Sequence, residues 1–513
     1  MKKFSYFIKI CVLFSFTSIY KVNSECNFKT ANYIEELNNP RSINSINIKI
    51  PKSRKYVKNF LEILKNKENN GSYIPAELKK NFKASIDVIY DFGSCSFKGK
   101  IRQHGDLTDH IVFNKGNPKR SLKIKLKNGN ILNATRFRVI IPETRNSINE
   151  ILGSVILSEL GFITPQNTEV NVSVNNISSK MIFSEDSRKE MLERNLKREG
   201  PIFTGDESLF WSENISHQNA TELSLGRLIN HNWFQKGTSS QEIILNSLSK
   251  IQNLYLEQKI LTEKGNQDLI SNLDNKKTNL FKDYSFILLA MNGHHGLHLH
   301  NRRFYFNSLK NEFEPIYYDG NLDLLKKLSK KYLNSKNLNN FDENYKFSYH
   351  EIVKNKDFKE KVYLAFKKRI LNHDKGKDLF FEKSFKNFVF NINFLQNYID
   401  RNIHLNGEIY GNKLSKNFYL KKSKNVIPNQ SIIYNAVLSK NKIIADIYQK
   451  PQREFSINEF RRILRKKNRN KNRFIYLPNI SREKEMDLDT VEIYIPDIKG
   501  EILYSKGIEL NIN

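Results

Sequence analysis

Apolar and polar residues alternate with period two along Ala84–Tyr90, again along Ser96–Gln103, and again along Ser121–Leu126. That period places every second side chain on one face, the pattern of a half-buried strand. Arg136–Ile141, beyond the Asn128-Gly129 turn, reads as the hairpin partner of the third run. Glu169–Val174 alternates likewise and turns at Asn175-Asn176 into Ile177–Phe183. Successive strands with short turns predict an antiparallel sheet. Between them the period changes. Ile148, Ile151, Leu152, Val155, Ile156 and Leu160 recur at helical spacing, opened by a Ser147/Glu150 capping box and stopped by Gly161. The spacing also predicts helices over Lys55–Lys67 and Glu185–Arg198, and a short buried one over Phe281–Met291. Residues 211–275 and 322–405 read as mainly helical. Two strands, Arg303–Phe306 and Phe313–Tyr318, fall between those regions. From about residue 407 the pattern becomes short strands and Asn/Lys-rich turns, interrupted by a basic helix that a Ser456/Glu459 capping box opens. The class is α+β: a sheet-and-helix lobe, a helical lobe and a C-terminal β-rich module.

The first 24 residues carry a different signal. Lys2 and Lys3 precede the apolar run Ile10–Tyr20, and Val22-Asn23-Ser24 ends on a small residue, the layout of a cleaved export signal or, with Phe4–Ile8 lengthening the apolar core, of an uncleaved anchor. Its removal leaves two of the three cysteines, Cys26 and Cys95, which in an exported chain suggests one disulfide; the alternative is two buried thiols. The formal charge of +30 admits an anionic polysaccharide or lipid surface as partner, whereas no nucleic-acid-binding signature appears. The excess is spread along the chain as Lys, beside abundant Asn and Ile. An AT-rich coding sequence would give the same result with no partner at all.

Three segments carry candidate chemistry. His294–Asn301 holds four of the eleven histidines, and reads either as a transition-metal site, as a solvated loop, or as part of a larger arrangement. Asp319-Gly320 ends a strand, where a carboxylate suits Mg²⁺ but an ordinary turn has the same sequence. Arg102–His110 followed by Lys119–Lys125 sets cations on a strand behind a Gly-containing loop, facing either phosphate or water. Lys123 and Lys125 share one face. Glu185 would pair such a lysine or complement a helix N-terminus. Taken in order, the first two segments follow the sequence of a kinase catalytic loop and its metal-binding Asp.

With these landmarks the chain resembles the spore-coat CotH kinase family and its exported relatives. The matching residues are Arg102, Gly105-Asp106, Asp109-His110, Ser121–Leu126, Phe137, Pro142–Arg145, Glu150 to Gly161, Val170–Asn176, Glu185, Arg198–Pro201, His300-Asn301, Phe304-Tyr305 and Pro315–Asp319. The resemblance implies an atypical protein-kinase-like bilobal fold over residues 85–405, after a signal peptide (1–24) and an N-terminal extension (25–84), and before the module at 406–513. It implies ATP and Mg²⁺ as ligands, with Asn301 and Asp319 on the metal and Arg102, Lys125 and Glu185 around the phosphates. Active members carry an Asp where Gly296 stands here, so His295 and His298 become the candidate bases. Asn321 replaces a second acidic position. The expected function is an exported phosphotransferase acting on a surface protein or envelope polymer. The alternative is a pseudokinase-type binding protein for an anionic polymer.

Overall fold

The computed structural model describes residues 25–402 except 30–35, 71–73, 115–116, 207–224, 264–272, 274–278, 335–337, 339–340 and 342–344. Beyond 402 it describes 431–447, 450–465, 473–476, 478, 503–506 and 509–512. Residues 1–24, read above as an export signal, and residues 406–430, read as the start of a C-terminal module, lie outside these residues. The chain forms two compact units. One is drawn from Met1–Ser147, Gln166–Asp186 and Lys367–Asn372, the other from Ile148–Pro165, Ser187–Phe366 and His373–Asn513.

The first unit contains β1 (Glu25–Phe28), β2 (Ile43–Lys49), β3 (Phe82–Tyr90), β4 (Gly93–Gln103), β5 (Ile111–Asn114), β6 (Asn117–Arg120), β7 (Leu122–Leu126), β8 (Arg136–Ile140), β9 (Asn167–Val174) and β10 (Ile177–Glu185). The strands pair in the order β4-β3-β2-β9-β10-β8-β7, and β7 returns to β4. Seven strands thus close into a barrel, with β1 beside the first residues of β4. Alternating directions cannot be kept around a ring of seven, so one neighbouring pair must run parallel. That pair is β2–β9. The sheet is therefore mixed and closed, where the sequence pattern predicted an antiparallel one. Residues 25–84, read as an extension, supply two of its strands and part of a third. Period-two burial along β3, β4 and β7 turns Ile86, Val88, Phe97, Ile101 and Ile124 inward, where they meet Phe137, Val172 and Phe183 in one cluster. A barrel of this size is filled by side chains. Cys26 and Cys95 stand opposite each other across β1 and β4 and form the disulfide.

The second unit contains β11 (Ile202–Asp206), β12 (Leu225–Leu228), β13 (Arg303–Asn307) and β14 (Glu312–Ile316), ordered β12-β11-β13-β14. Its helix Leu280–Ala290 is buried along almost its whole length. A second sheet contains β15 (Ser431–Ser439), β16 (Lys442–Ile447), β17 (Lys450–Ser456) and β18 (Phe474–Tyr476). The shift in sequence character near residue 407 suggests a separate module. Instead Ile433, Phe455, Phe460 and Tyr476 share one hydrophobic cluster with Phe203, Trp233, Phe234 and Phe304. Ser456 caps its helix as expected, accepting the Glu459 N–H. No described helix is long and apolar enough to cross a membrane.

Candidate functional site

The second unit gathers the His segment and Asp319. After the buried helix Leu280–Ala290 the chain makes a short 3₁₀ turn at His294–Leu297 and enters β13. Antiparallel pairing sets Arg303 against Ile316, so the residues before β13 and those after β14 leave the sheet at the same end. Asn301 and Asp319 both meet His295 there. The Asn301 amide donates to the His295 carbonyl at 3.0 Å, and the His295 Nε2 lies 3.9 Å from Asp319 Oδ1. Asp319 holds a left-handed φ of +51°, uncommon for a residue with a side chain and a form of strain that collects at functional positions.

Four side chains fix the backbone of this segment. Tyr255 donates to the Leu299 carbonyl at 2.8 Å and Thr204 to that of Arg302 at 3.0 Å. Arg302 donates to the Leu297 carbonyl at 2.8 Å, and Asn301 makes the bond already given. The imidazoles of His294, His295, His298 and His300 are half-buried, with ring centroids 4.9–6.2 Å apart. Among the described residues, no three His, Cys, Asp or Glu side chains are arranged to hold a metal ion. The transition-metal reading of the His segment therefore has no support in the geometry. Asn301 and Asp319 offer oxygen donors of the type a hard cation takes, and Mg²⁺ uses one or two such groups and completes its shell with phosphate and water.

Gly296 packs directly on the Asp319 turn. A Cβ there would sit 3.1 Å from the Gly320 Cα and 3.3 Å from the Tyr318 carbonyl. The turn is anchored from below, where the buried Tyr317 hydroxyl donates to Glu150 at 2.8 Å. Burial and the Glu150 charge hold that phenol well above its ordinary pKa. Sequence reasoning read Glu150 as half of a capping box. Its expected partner Ser147 instead adopts a left-handed φ of +58°.

The remaining predicted residues lie in the barrel. Lys123 meets Asp186 at 2.8 Å, an acid that sequence reasoning passed over. Glu185 is the last residue of β10 rather than the start of a helix, which begins at Lys189. It is buried, pairs with Phe137 in the sheet, and its carboxylate accepts the Gln166 N–H at 3.0 Å. Arg102 is the cross-strand neighbour of Lys123, and Lys125 is exposed on the outer face. Behind them His110 shares a hydrogen bond of 2.9 Å with the buried Ser121 hydroxyl. Gly105, at φ +87°, is required here because a Cβ would overlap the His110 ring.

No family model matches the chain, and no curated protein matches it. Among solved structures, the complex of HipA, HipB and operator DNA from the toxin–antitoxin system of Shewanella oneidensis MR-1 is similar with a TM-score of 0.27 and 10% identity. The likeness covers 70% of this chain and 74% of that one. A score that low carries no argument about this chain's fold or chemistry.

Proposed function

We propose that the chain is an exported, kinase-like phosphotransferase of the CotH type, taking ATP and Mg²⁺ and acting on a surface protein or envelope polymer. The observation that carries the reading is the meeting of Asn301 and Asp319 on His295 at one end of the β13–β14 hairpin. In this reading the two oxygen donors hold Mg²⁺, which offsets the negative charge of the phosphates. Asn301 orients the His295 backbone, while Asp319 orients its imidazole. An imidazole is a competent base near neutral pH, so His295 takes the acceptor proton, with His298 beside it at a ring separation of 5.6 Å.

One observation favours a second reading, a nucleotide-binding protein that transfers nothing and serves as a binding module for an anionic polymer. Gly296 carries no carboxylate, and a Cβ there would press on the Asp319 turn at 3.1 Å from the Gly320 Cα. Titration calorimetry with Mg-ATP on the purified chain, followed by γ-labelled ATP with and without a surface extract, separates the two. Binding weakened about tenfold or more by Asp319→Asn, which removes one charge-assisted contact, is expected under both. Label transfer lost in His295→Ala supports the first reading. Binding without transfer supports the second, and an absence of Mg-ATP binding overturns both.

A further inference from the structure

The helix Lys375–Asn402 in the second unit buries Phe381, Phe385, Phe388, Ile392 and Leu395 along its inner face. On the opposite side Leu379, Lys383, Lys386 and Phe390 recur at the same helical spacing, within an arc of about 60°. The outer face of such a helix is ordinarily polar throughout. Here Leu379 is 69% exposed and Phe390 41%, and both lysines between them are exposed.

A neighbouring segment widens this patch. Asn387 donates to the Leu325 carbonyl at 2.7 Å and Asn391 to that of Lys326 at 3.0 Å, which fixes residues 325–327 against the helix. Leu325 is also exposed there, and the Lys327 ammonium stands 4.7 Å from the centre of the Phe390 ring. Glu382, the acid bordering the outer arc, is met by Lys359 of the preceding helix at 2.7 Å. The patch is therefore net positive, with Lys327, Lys359, Lys383 and Lys386 against Glu382. Exposed apolar side chains scattered singly need no explanation, but these are gathered among cations.

We infer that this face, made by Leu325, Lys327, Leu379, Lys383, Lys386 and Phe390, docks the protein on an anionic lipid bilayer. From Leu379 to Phe390 the helix runs about 16 Å, with apolar groups at both ends and cations between. At a bilayer interface such apolar groups dip below the headgroups, while the lysine stems lie alongside and their ammonium groups meet lipid phosphates. An acidic polysaccharide is a poorer match, because it would leave Leu379 and Phe390 in water. An amphipathic partner helix is poorer too, since it needs a continuous apolar groove and Lys383 and Lys386 interrupt the apolar line.

The test is co-sedimentation of the purified full chain with phosphatidylcholine vesicles, with and without phosphatidylglycerol, across a range of NaCl concentrations. Binding is expected only with phosphatidylglycerol and is expected to weaken as salt rises. Lys383→Ser/Lys386→Ser should weaken it about tenfold or more, at roughly 1 kcal/mol for each lysine near the surface. Leu379→Ser/Phe390→Ser should also weaken it about tenfold or more, through lost apolar burial. Lys83→Ser/Lys100→Ser, which removes the same charge from the exposed surface of the barrel, is expected to leave binding unchanged. Thermal melts that match the parent chain establish that each variant folds. The proposal is overturned by an absence of vesicle binding, by equal losses in the two lysine variants, or by binding that ignores Leu379→Ser/Phe390→Ser. Mg-ATP binding involves none of these side chains, so its success or failure is read separately.

Discussion

Single residues decide the chemistry around Asp319. Its left-handed backbone persists because the turn is held from beneath by the Tyr317–Glu150 hydrogen bond, both partners being buried. Tyr317→Phe leaves a buried carboxylate short of a donor and is expected to cost about 1–3 kcal/mol in urea unfolding. Under the proposed function, the same variant is also expected to weaken Mg-ATP binding measured by calorimetry. Part of this was legible in the sequence. The order His loop, Asn301, hairpin, Asp319 could be read because its residues lie close along the chain. Asp186 and Tyr317 could not, because their partners Lys123 and Glu150 are distant in sequence and only the fold brings each pair together. Glu185 was misplaced for a related reason. A carboxylate before a charged stretch has the appearance of a helix start, and only its pairing with Phe137 across the sheet shows it to be a strand end.

At the scale of elements, period-two patterning announced β3, β4, β7, β8, β9 and β10 within a few residues. Closure was invisible. It rests on β2 pairing with β9, where Ile46 meets Val172, and a local pattern carries no information about so distant a partner. Closure also leaves the barrel strands without open edges for another chain to extend. The short strand β1 is covalently secured instead. Its Cys26–Cys95 bridge closes a loop of 69 residues, worth on the order of 4 kcal/mol in the chain-entropy model. Reduction with dithiothreitol, or Cys26→Ser, is therefore expected to lower the urea midpoint of the barrel. A midpoint unchanged by reduction would show that β1 contributes nothing to its stability.

For the molecule as a whole, charge and pH come to the fore. The chain carries a formal charge of +30, and the barrel contains a histidine that resists adding to it. His104 is half-buried as a residue, but its Nε2 is shut off from solvent and has no hydrogen-bond partner among the described residues. Burial first, then His110, Arg138, Arg145 and Lys123, hold its pKa well below the ordinary value of 6.5. Between the depressed folded value and the unfolded value of about 6.5, the unfolded chain binds the extra proton. Stability therefore falls as pH drops below about 6.5, by up to about 1.4 kcal/mol per pH unit from this group, and the fall ends below the folded pKa. Urea midpoints measured from pH 7.5 down to pH 5 should show that slope, and His104→Gln should flatten it.

The barrel also recruits Lys367–Asn372, far along the chain. Arg369 offers its carbonyl to the Glu169 N–H and the Thr168 hydroxyl, each at 2.8 Å, and the Leu371 N–H reaches the Glu169 carboxylate at 2.9 Å. At synthesis rates of about 5–20 residues per second, this strap follows β10 out of the ribosome by roughly ten to forty seconds. A nascent chain thus completes its ring of strands long before the clasp that fastens it arrives. Truncation upstream of residue 367 should yield a ring that opens more readily, and a chain exported as it is made would meet the outside with its clasp still unmade.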